Sequence, residues 1–159
     1  MSVFYIVTAI TIITFFIIAR NFKDLKNHNE GTHEMETIAG IIRDGAKTFM
    51  RREYRVIIPT VIVVALAYSL FMEKFSGLAF ILGATMSSLA CIIGMRGGTY
   101  GNVRTANAAR VTGAMSRTIR IALMSGSISG FAVPAFGLFG VSLVWIFSGG
   151  LHSGATATG

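Results

Sequence analysis

Charged residues are scarce in this 159-residue chain, and they are missing from four long stretches. Only 13% of the residues are charged, against about 25% in a typical soluble domain. No Asp, Glu, Lys or Arg occurs in residues 2–19, 56–72, 75–95 or 121–147. Apolar stretches of about 18 residues are long enough to cross the hydrocarbon core of a bilayer as helices. The sequence therefore excludes a soluble domain and predicts an all-α, polytopic membrane protein with four spans at these positions.

Cysteine and histidine are also too few for two common kinds of site. The single Cys91 lies inside the third predicted span, so it provides neither a disulfide framework nor a cysteine-based metal cluster. His28 and His33 lie in a polar linker without a nearby cysteine, and we interpret them as solvated loop residues. We therefore predict that this chain binds no metal and no other cofactor.

The charges that are present divide unequally between the connections. Residues 20–55 hold eight basic and six acidic residues, and residues 96–120 hold five arginines and no acid. The turn between the second and third spans holds one charge of each sign. Because Lys and Arg collect in the cytoplasmic connections of membrane proteins, we expect both basic connections in the cytoplasm and both termini outside. The first span has no preceding positive charge, so we interpret it as an uncleaved anchor rather than a signal peptide.

The four predicted spans contain no ionisable residue near their middles. Such residues are costly at membrane depth, and where they occur they usually belong to a proton relay or an ion path. Small residues four apart, by contrast, let helices approach closely in lipid, and the fourth span has such a pair in Gly126 and Gly130. We therefore expect helices that pack against others in a larger bundle and do not themselves form an ion path.

A different pattern covers residues 34–55. Apolar residues recur there at three-, four- or seven-residue steps, which predicts a helix with one apolar face. We expect an amphipathic helix at the cytoplasmic membrane surface that continues into the second span. Arg43, Arg52 and Glu53 are candidate interface residues on this helix.

The segment IIGMRGGTYGNVRTANAAR, residues 92–110, combines glycines and arginines without any acid. A phosphate-binding loop is one interpretation, but the spacing matches no such motif and no strand precedes the segment. A nucleic-acid surface would need aromatic residues between the arginines, and only Tyr100 is present. Neither a phosphate loop nor a nucleic-acid partner is favoured.

The arginines of this region indicate a partner of another kind. At 100° per residue along one helix, Arg110, Arg117 and Arg120 fall within about 80° of one another, whereas the glycines are expected to separate Arg96 from that helix. Five arginines without acids predict contacts with lipid phosphates or with carboxylates from another part of the protein. Arg104 and Arg110 in particular are expected to find acidic partners outside this chain.

Two longer motifs resemble a known family. They are IAGIIRDGAKTFMRREYRVI (38–57) and IGMRGGTYGNVRTANAAR (93–110), and a Gly- and Ser-rich span follows. Together they resemble the N-terminal part of the membrane-integral inorganic pyrophosphatases, the proton- or sodium-pumping enzymes energised by pyrophosphate. Asp44 stands where the family pattern has glutamate, and Gly98 and Gly101 stand where it has alanine. The resemblance covers nearly the whole chain.

By these motifs the chain resembles one end of a homodimeric pump with roughly sixteen helices per subunit, arranged in an inner and an outer ring. The family holds pyrophosphate and magnesium ions in a cytoplasmic funnel lined by aspartates and lysines of the inner helices. No position of this sequence matches one of those catalytic, magnesium-binding or ion-gate residues. Because phosphoanhydride hydrolysis needs metal ions and a positioned water, this chain alone is expected to be inactive.

The resemblance thus implies an N-terminal fragment of a pump that couples diphosphate hydrolysis to proton or sodium translocation. Its four helices would belong to the outer scaffold, in the cell inner membrane, in contact with lipids and with the remaining helices of the pump. The alternative is a self-contained four-helix membrane scaffold or accessory protein without enzymatic activity.

Overall fold

The computed structural model describes residues 2–71 and 74–147, and all regular structure in these ranges is α-helical. Each helix contains an apolar stretch long enough to cross a membrane. The predicted all-α, polytopic membrane fold is thereby confirmed. The four helices are α1 (Ser2–Lys26), α2 (His33–Phe71), α3 (Lys74–Thr112) and α4 (Met115–Phe147).

The helices continue well past the apolar stretches at one end of the molecule. α2 joins the predicted amphipathic segment to the second span in one helix of 39 residues, and α3 has the same length. At about 1.5 Å per residue, such a helix is nearly twice as long as the roughly 30 Å hydrocarbon core is thick. Every arginine of the chain belongs to this end of the helices, which we call the basic end.

The α3–α4 pair forms the centre of the packing. α2 packs on α3, while α1 packs on α4 and touches α3. Within the described residues α1 and α2 do not pack on each other, although only residues 27–32 connect them. The short α1–α2 loop must therefore cross the basic end of α3.

Small residues form the contact between α3 and α4. Gly94 and Gly97 face α4, where Ser129 Oγ donates a hydrogen bond to the carbonyl of Gly94 and Ser125 Oγ donates one to the carbonyl of Gly97, both at 2.9 Å. A methyl group on Gly97 would lie 2.7 Å from Cγ2 of Ile128. The helices approach closely because these glycines have no side chain, and the two serine hydroxyls gain an acceptor within the helix contact.

The glycines of this region do not interrupt α3. The expectation that they separate Arg96 from the following helix is wrong, because Arg96 and Arg104 both lie within α3. Each glycine costs a helix about 1 kcal/mol relative to alanine, and at Gly94, Gly97 and Gly101 the close packing on α4 offsets that cost. Residues 92–110 are consequently helix and not a phosphate-binding loop.

The helix ends instead at Thr112, and the next residue, Gly113, has a left-handed φ of 57°, as is typical of a glycine just after a helix C-terminus. Arg110 therefore lies at the end of α3, whereas Arg117 and Arg120 lie on α4. The prediction that these three arginines share one helix face is wrong, because a constant 100° step applies only within a single helix.

The glycine pair of α4 plays no part in the packing of the described helices. A methyl group added at Gly126 or Gly130 would meet no atom within 4 Å. These two glycines therefore remain available to a helix outside the described residues, and their role in such a contact stays a prediction.

Candidate functional site

One carboxylate and two arginines meet where the α1–α2 loop crosses α3. Glu30 Oε1 lies 2.6 Å from Nη2 of Arg43 on α2 and 2.9 Å from Nη2 of Arg104 on α3. The Arg104 side chain is only 5% exposed, so its charge is almost completely removed from solvent. We call these three residues the Glu30 cluster. It joins the loop to two helices.

Arg104 also binds the end of α1. Its Nε donates to the carbonyl oxygen of His28 at 2.9 Å, and its Nη2 lies 3.4 Å from that of Lys26. The last carbonyl groups of a helix have no N–H donor within the helix. A guanidinium can supply such donors, since it offers several in a fixed planar arrangement. A third donor, Nη1, reaches the carbonyl oxygen of Tyr100 in α3 itself at 2.9 Å. One side chain therefore caps α1 and fixes α1 to α3.

The loop is held at a second point by Asn107. Its Nδ2 donates to the carbonyl oxygen of Asn29 at 3.1 Å, and the side chain of Asn29 accepts from the backbone N–H of Gly31 at 2.9 Å. Gly31 has a φ of 113°, and a methyl group there would lie 2.7 Å from Sδ of Met35 and 2.9 Å from Oδ1 of Asn107. The positive φ favours glycine at this position, and a side chain there would also displace Met35 or Asn107.

An aromatic ring lies among the cations of this site. The guanidinium carbon of Arg43 is 4.2 Å from the ring centroid of Tyr100. The guanidinium carbon of Arg104 and the Nζ atom of Lys26 are each 5.4 Å from the same centroid. The Nε atom of Arg43 is buried without a hydrogen-bond partner. The contact of the Arg43 guanidinium with the negative face of the Tyr100 ring offsets part of the cost of burying that atom.

The electrostatics of the cluster favour an ionised carboxylate. The hydrogen bond from Arg43 lowers the pKa of Glu30 below its ordinary 4.5, and the charge of Arg104 lowers it further, while burial opposes both. Glu30 is therefore ionised at neutral pH and is a poor proton acceptor. The chemistry of the cluster suits anchoring of the loop rather than acid–base catalysis.

Two of the predicted interface residues, Arg43 and Arg104, come together in the Glu30 cluster. The expectation that Arg104 finds its acid outside the chain is wrong, because the short loop brings Glu30 to it. Arg110 instead donates to Oδ1 of Asn107 at 3.3 Å, and an external acid for Arg110 stays a prediction. Arg43 and Arg104 each belong to one of the two motifs noted in the sequence, whereas Glu30 belongs to neither.

The other charged candidates lie apart from the cluster. Arg52 and Glu53 are exposed on α2, and Arg96 is exposed on α3. Within the described ranges, the ion pairs are Arg20–Asp24 and the two in the Glu30 cluster, so none of these candidates is paired there. Contacts of all three with further parts of a pump stay predictions.

Comparison with known proteins identifies the source of the two motifs. Residues 11–158 match the family described as inorganic H+ pyrophosphatase. The chain belongs to this family. The family resemblance inferred from the motifs is thereby confirmed, and with it the expectation of a membrane-bound member of a family of ion-pumping pyrophosphatases.

Individual relatives in this family include pumps for different ions. The chain is 39% identical over 131 residues to the K(+)-stimulated pyrophosphate-energized sodium pump of Thermotoga maritima, covering 82% of the chain and 18% of the relative. It is 34% identical over 151 residues to the K(+)-insensitive pyrophosphate-energized proton pump 2 of Moorella thermoacetica, covering 94% and 22%. A K(+)-insensitive proton pump of Caldanaerobacter subterraneus is 32% identical over 161 residues, with coverage of 92% and 22%. The chain spans about a fifth of the length of these relatives.

Proposed function

We propose that the chain corresponds to the N-terminal portion of a pyrophosphate-energised proton or sodium pump and supplies helices of its outer scaffold. The observation that carries this proposal is the Glu30 cluster. Arg104 is the one buried charged residue in the described part of the chain, and with Glu30 it holds the α1–α2 loop on α3. The lack of ionisable residues near the middle of the spans supports the same role, since ion paths through membranes usually require them.

Hydrolysis and ion transfer belong, in this proposal, to other helices of the pump. Magnesium prefers several oxygen ligands and carboxylates that are free to bind it. No group of three Asp, Glu, His or Cys residues that could hold a metal ion occurs in residues 2–71 and 74–147, and Glu30 is already bound by two arginines. The side chains of the described residues do not fit a magnesium–pyrophosphate site.

The proposed location is the cell inner membrane, with the basic end in the cytoplasm and the N-terminus outside. The distribution of arginines supports this orientation, because all of them lie at one end of the helices. The remaining helices of the pump would cover α3 and α4, a second subunit would complete a homodimer, and pyrophosphate would bind elsewhere in the assembly.

A chimeric pump tests the scaffold role. The matching segment of the Thermotoga maritima sodium pump is replaced by the corresponding residues of this chain, and magnesium-dependent phosphate release from pyrophosphate is measured in membranes. We expect the chimera to hydrolyse pyrophosphate. Its Glu30→Gln variant should assemble in lower yield while its activity per folded pump is unchanged. A chimera that assembles fully but does not hydrolyse would contradict a purely scaffolding role.

The 159-residue chain alone is tested in the same assay. We expect no phosphate release above that of membranes without the chain, because no group of side chains that could hold magnesium occurs among its described residues. Release above that background would overturn the assignment of catalysis to other helices. The gene provides a separate check. An in-frame continuation encoding D-x-x-x-x-x-x-K-x-E supports a pump, and a stop codon followed by stable expression of the short product favours an accessory protein.

A further inference from the structure

A groove of about 350 Å³ lies between α2 and α3, beside the Glu30 cluster. Three cationic side chains line it, namely Arg43, Lys47 and Arg96, and Asp44 is the one acid among its described lining residues. Lys47 and Arg96 are exposed and have no ion pair within the described ranges. The groove therefore presents two positive side chains that form no ion pair with an acid of the described residues.

The charge balance remains positive when the neighbouring cluster is included. Arg43 already shares Glu30 with Arg104, so we do not count it as free. One carboxylate for those two arginines leaves one positive charge, and Asp44 balances only one of the other two cations of the groove. The local field therefore attracts an anion, and it does so close to a surface from which water is partly excluded.

The groove also has apolar lining residues, and their position along the helices relative to the uncharged spans indicates the kind of ligand. Met50 of α2 and Ile92 and Met95 of α3 line it. Met95 is the last residue of the uncharged run 75–95, and Arg96 follows directly. Arg96 thus lies where the charged part of α3 begins, with Ile92 and Met95 on its membrane side. On α2, Lys47 and Met50 precede the uncharged run 56–72, and Met50 is one turn nearer to that run than Lys47. A free phosphate ion would make no favourable contact with those apolar side chains.

We propose that this groove binds the phosphate headgroup of an anionic membrane lipid such as phosphatidylglycerol. Lys47 and Arg96 contact the phosphate, and Met50, Ile92 and Met95 contact the upper part of an acyl chain. Basic grooves between membrane helices at the headgroup level are suited to such lipids, and long basic side chains reach that level readily from a helix surface. The site is independent of whether the chain takes part in pumping.

The test compares two variants with equal charge and equal composition. The full chain in neutral detergent is titrated with phosphatidylglycerol or phosphatidylcholine of the same acyl length, and bound lipid is counted by native mass spectrometry. Lys47→Gln with Arg96→Gln removes the cations of the groove. Lys23→Gln with Arg120→Gln removes one exposed lysine and one exposed arginine from the basic ends of α1 and α4.

We expect the groove variant to bind phosphatidylglycerol about thirtyfold more weakly, roughly fivefold for each cation removed, and the control pair to bind nearly as the unmodified chain does. Arg96→Lys, which keeps the charge, should retain most of the binding, and size-exclusion chromatography verifies that each variant is folded. Equal losses in the two pairs would show general surface attraction and overturn the proposal. Equal binding of phosphatidylglycerol and phosphatidylcholine, as expected if protein carboxylates fill the groove, would also overturn it. The same holds if inorganic phosphate or pyrophosphate displaces the bound phosphatidylglycerol completely.

Discussion

At the scale of single residues, one carboxylate serves two arginines on different helices. Neutralising Glu30 leaves Arg104, which is 5% exposed, without an anionic partner. A buried charge that loses its partner costs several kcal/mol, and the carbonyls that Arg104 also binds reduce this cost. We expect Glu30→Gln to lower the free energy of unfolding by about 2 kcal/mol, measured by denaturation in detergent micelles. Glu53→Gln, which removes an exposed carboxylate of α2, serves as control, and an equal loss there would refute this role of Glu30.

The same residue predicts a pH dependence. The hydrogen bond from Arg43, with the charge of Arg104, keeps the pKa of Glu30 lower in the folded than in the unfolded chain. A group with a lowered folded pKa contributes stability above its unfolded pKa and loses it as pH falls through the folded value. The difference in unfolding free energy between the unmodified chain and Glu30→Gln should therefore be constant near neutral pH and shrink below about pH 4.5. A difference that stays constant through strongly acidic pH contradicts the ion pair.

The Glu30 cluster could not be predicted from the sequence, and the reason is geometric. Arg104 and Arg110 both appear unpaired when only neighbouring positions are considered, because no acid occurs between residues 96 and 120. The partner of Arg104 comes from the short α1–α2 loop. That loop crosses α3 because α2 packs on α3 while α1 packs mainly on α4, without contact between α1 and α2. Tertiary arrangement, rather than any local signal, selects Glu30.

At the scale of elements, the glycines of α3 differ sharply in their surroundings. A methyl group on Gly101 would collide with the side chain of Ser125 on α4, whereas one on Gly98 would meet no atom within 4 Å. We expect Gly101→Ala to destabilise the α3–α4 contact by about 1–3 kcal/mol, because Ser125 must move and loses its hydrogen bond to the carbonyl of Gly97. Gly98→Ala should instead stabilise the chain by up to about 1 kcal/mol through helix propensity.

Denaturation of both alanine variants in the same detergent measures this contrast. Replacing Ser125 by glycine in the Gly101→Ala background should recover part of the lost stability, because the collision is then removed. Similar effects of the two alanine substitutions would show that helix propensity, and not the contact with α4, determines the role of these glycines.

The elements show which signals in the sequence are reliable. The long uncharged stretches predicted four spanning helices because each is long and apolar enough to cross the hydrocarbon core of a bilayer. The helix boundaries were less predictable. Gly97 and Gly101 are helical and pack on α4, and Gly98 is helical without such a contact, while Gly113 follows the end of α3 with a left-handed φ. The presence of glycine alone therefore does not distinguish a helix interior from a helix end.

At the scale of the whole molecule, most apolar surface of the described spans faces outward. Between 6% and 22% of each apolar window is buried among the described helices. Within a membrane that surface is covered by lipid or by further helices, and close helix contacts in lipid require small residues. The exposed glycines of α4 and the length of the relatives both agree with coverage by further helices of a pump.

The orientation of the whole molecule gives the last prediction. Cys91 is replaced by serine, and single cysteines are placed at Asn27 and Met115 on the basic end and at Phe71 on the opposite end. All three native residues are exposed. Because arginines favour the cytoplasmic side, a membrane-impermeant maleimide should label Phe71→Cys in intact cells, and should label the other two only after the cells are opened. The reverse pattern would overturn the proposed orientation. Labelling of Asn27→Cys and Met115→Cys from opposite sides would contradict the arrangement of α1 to α4, since both positions lie at the same end of the helices.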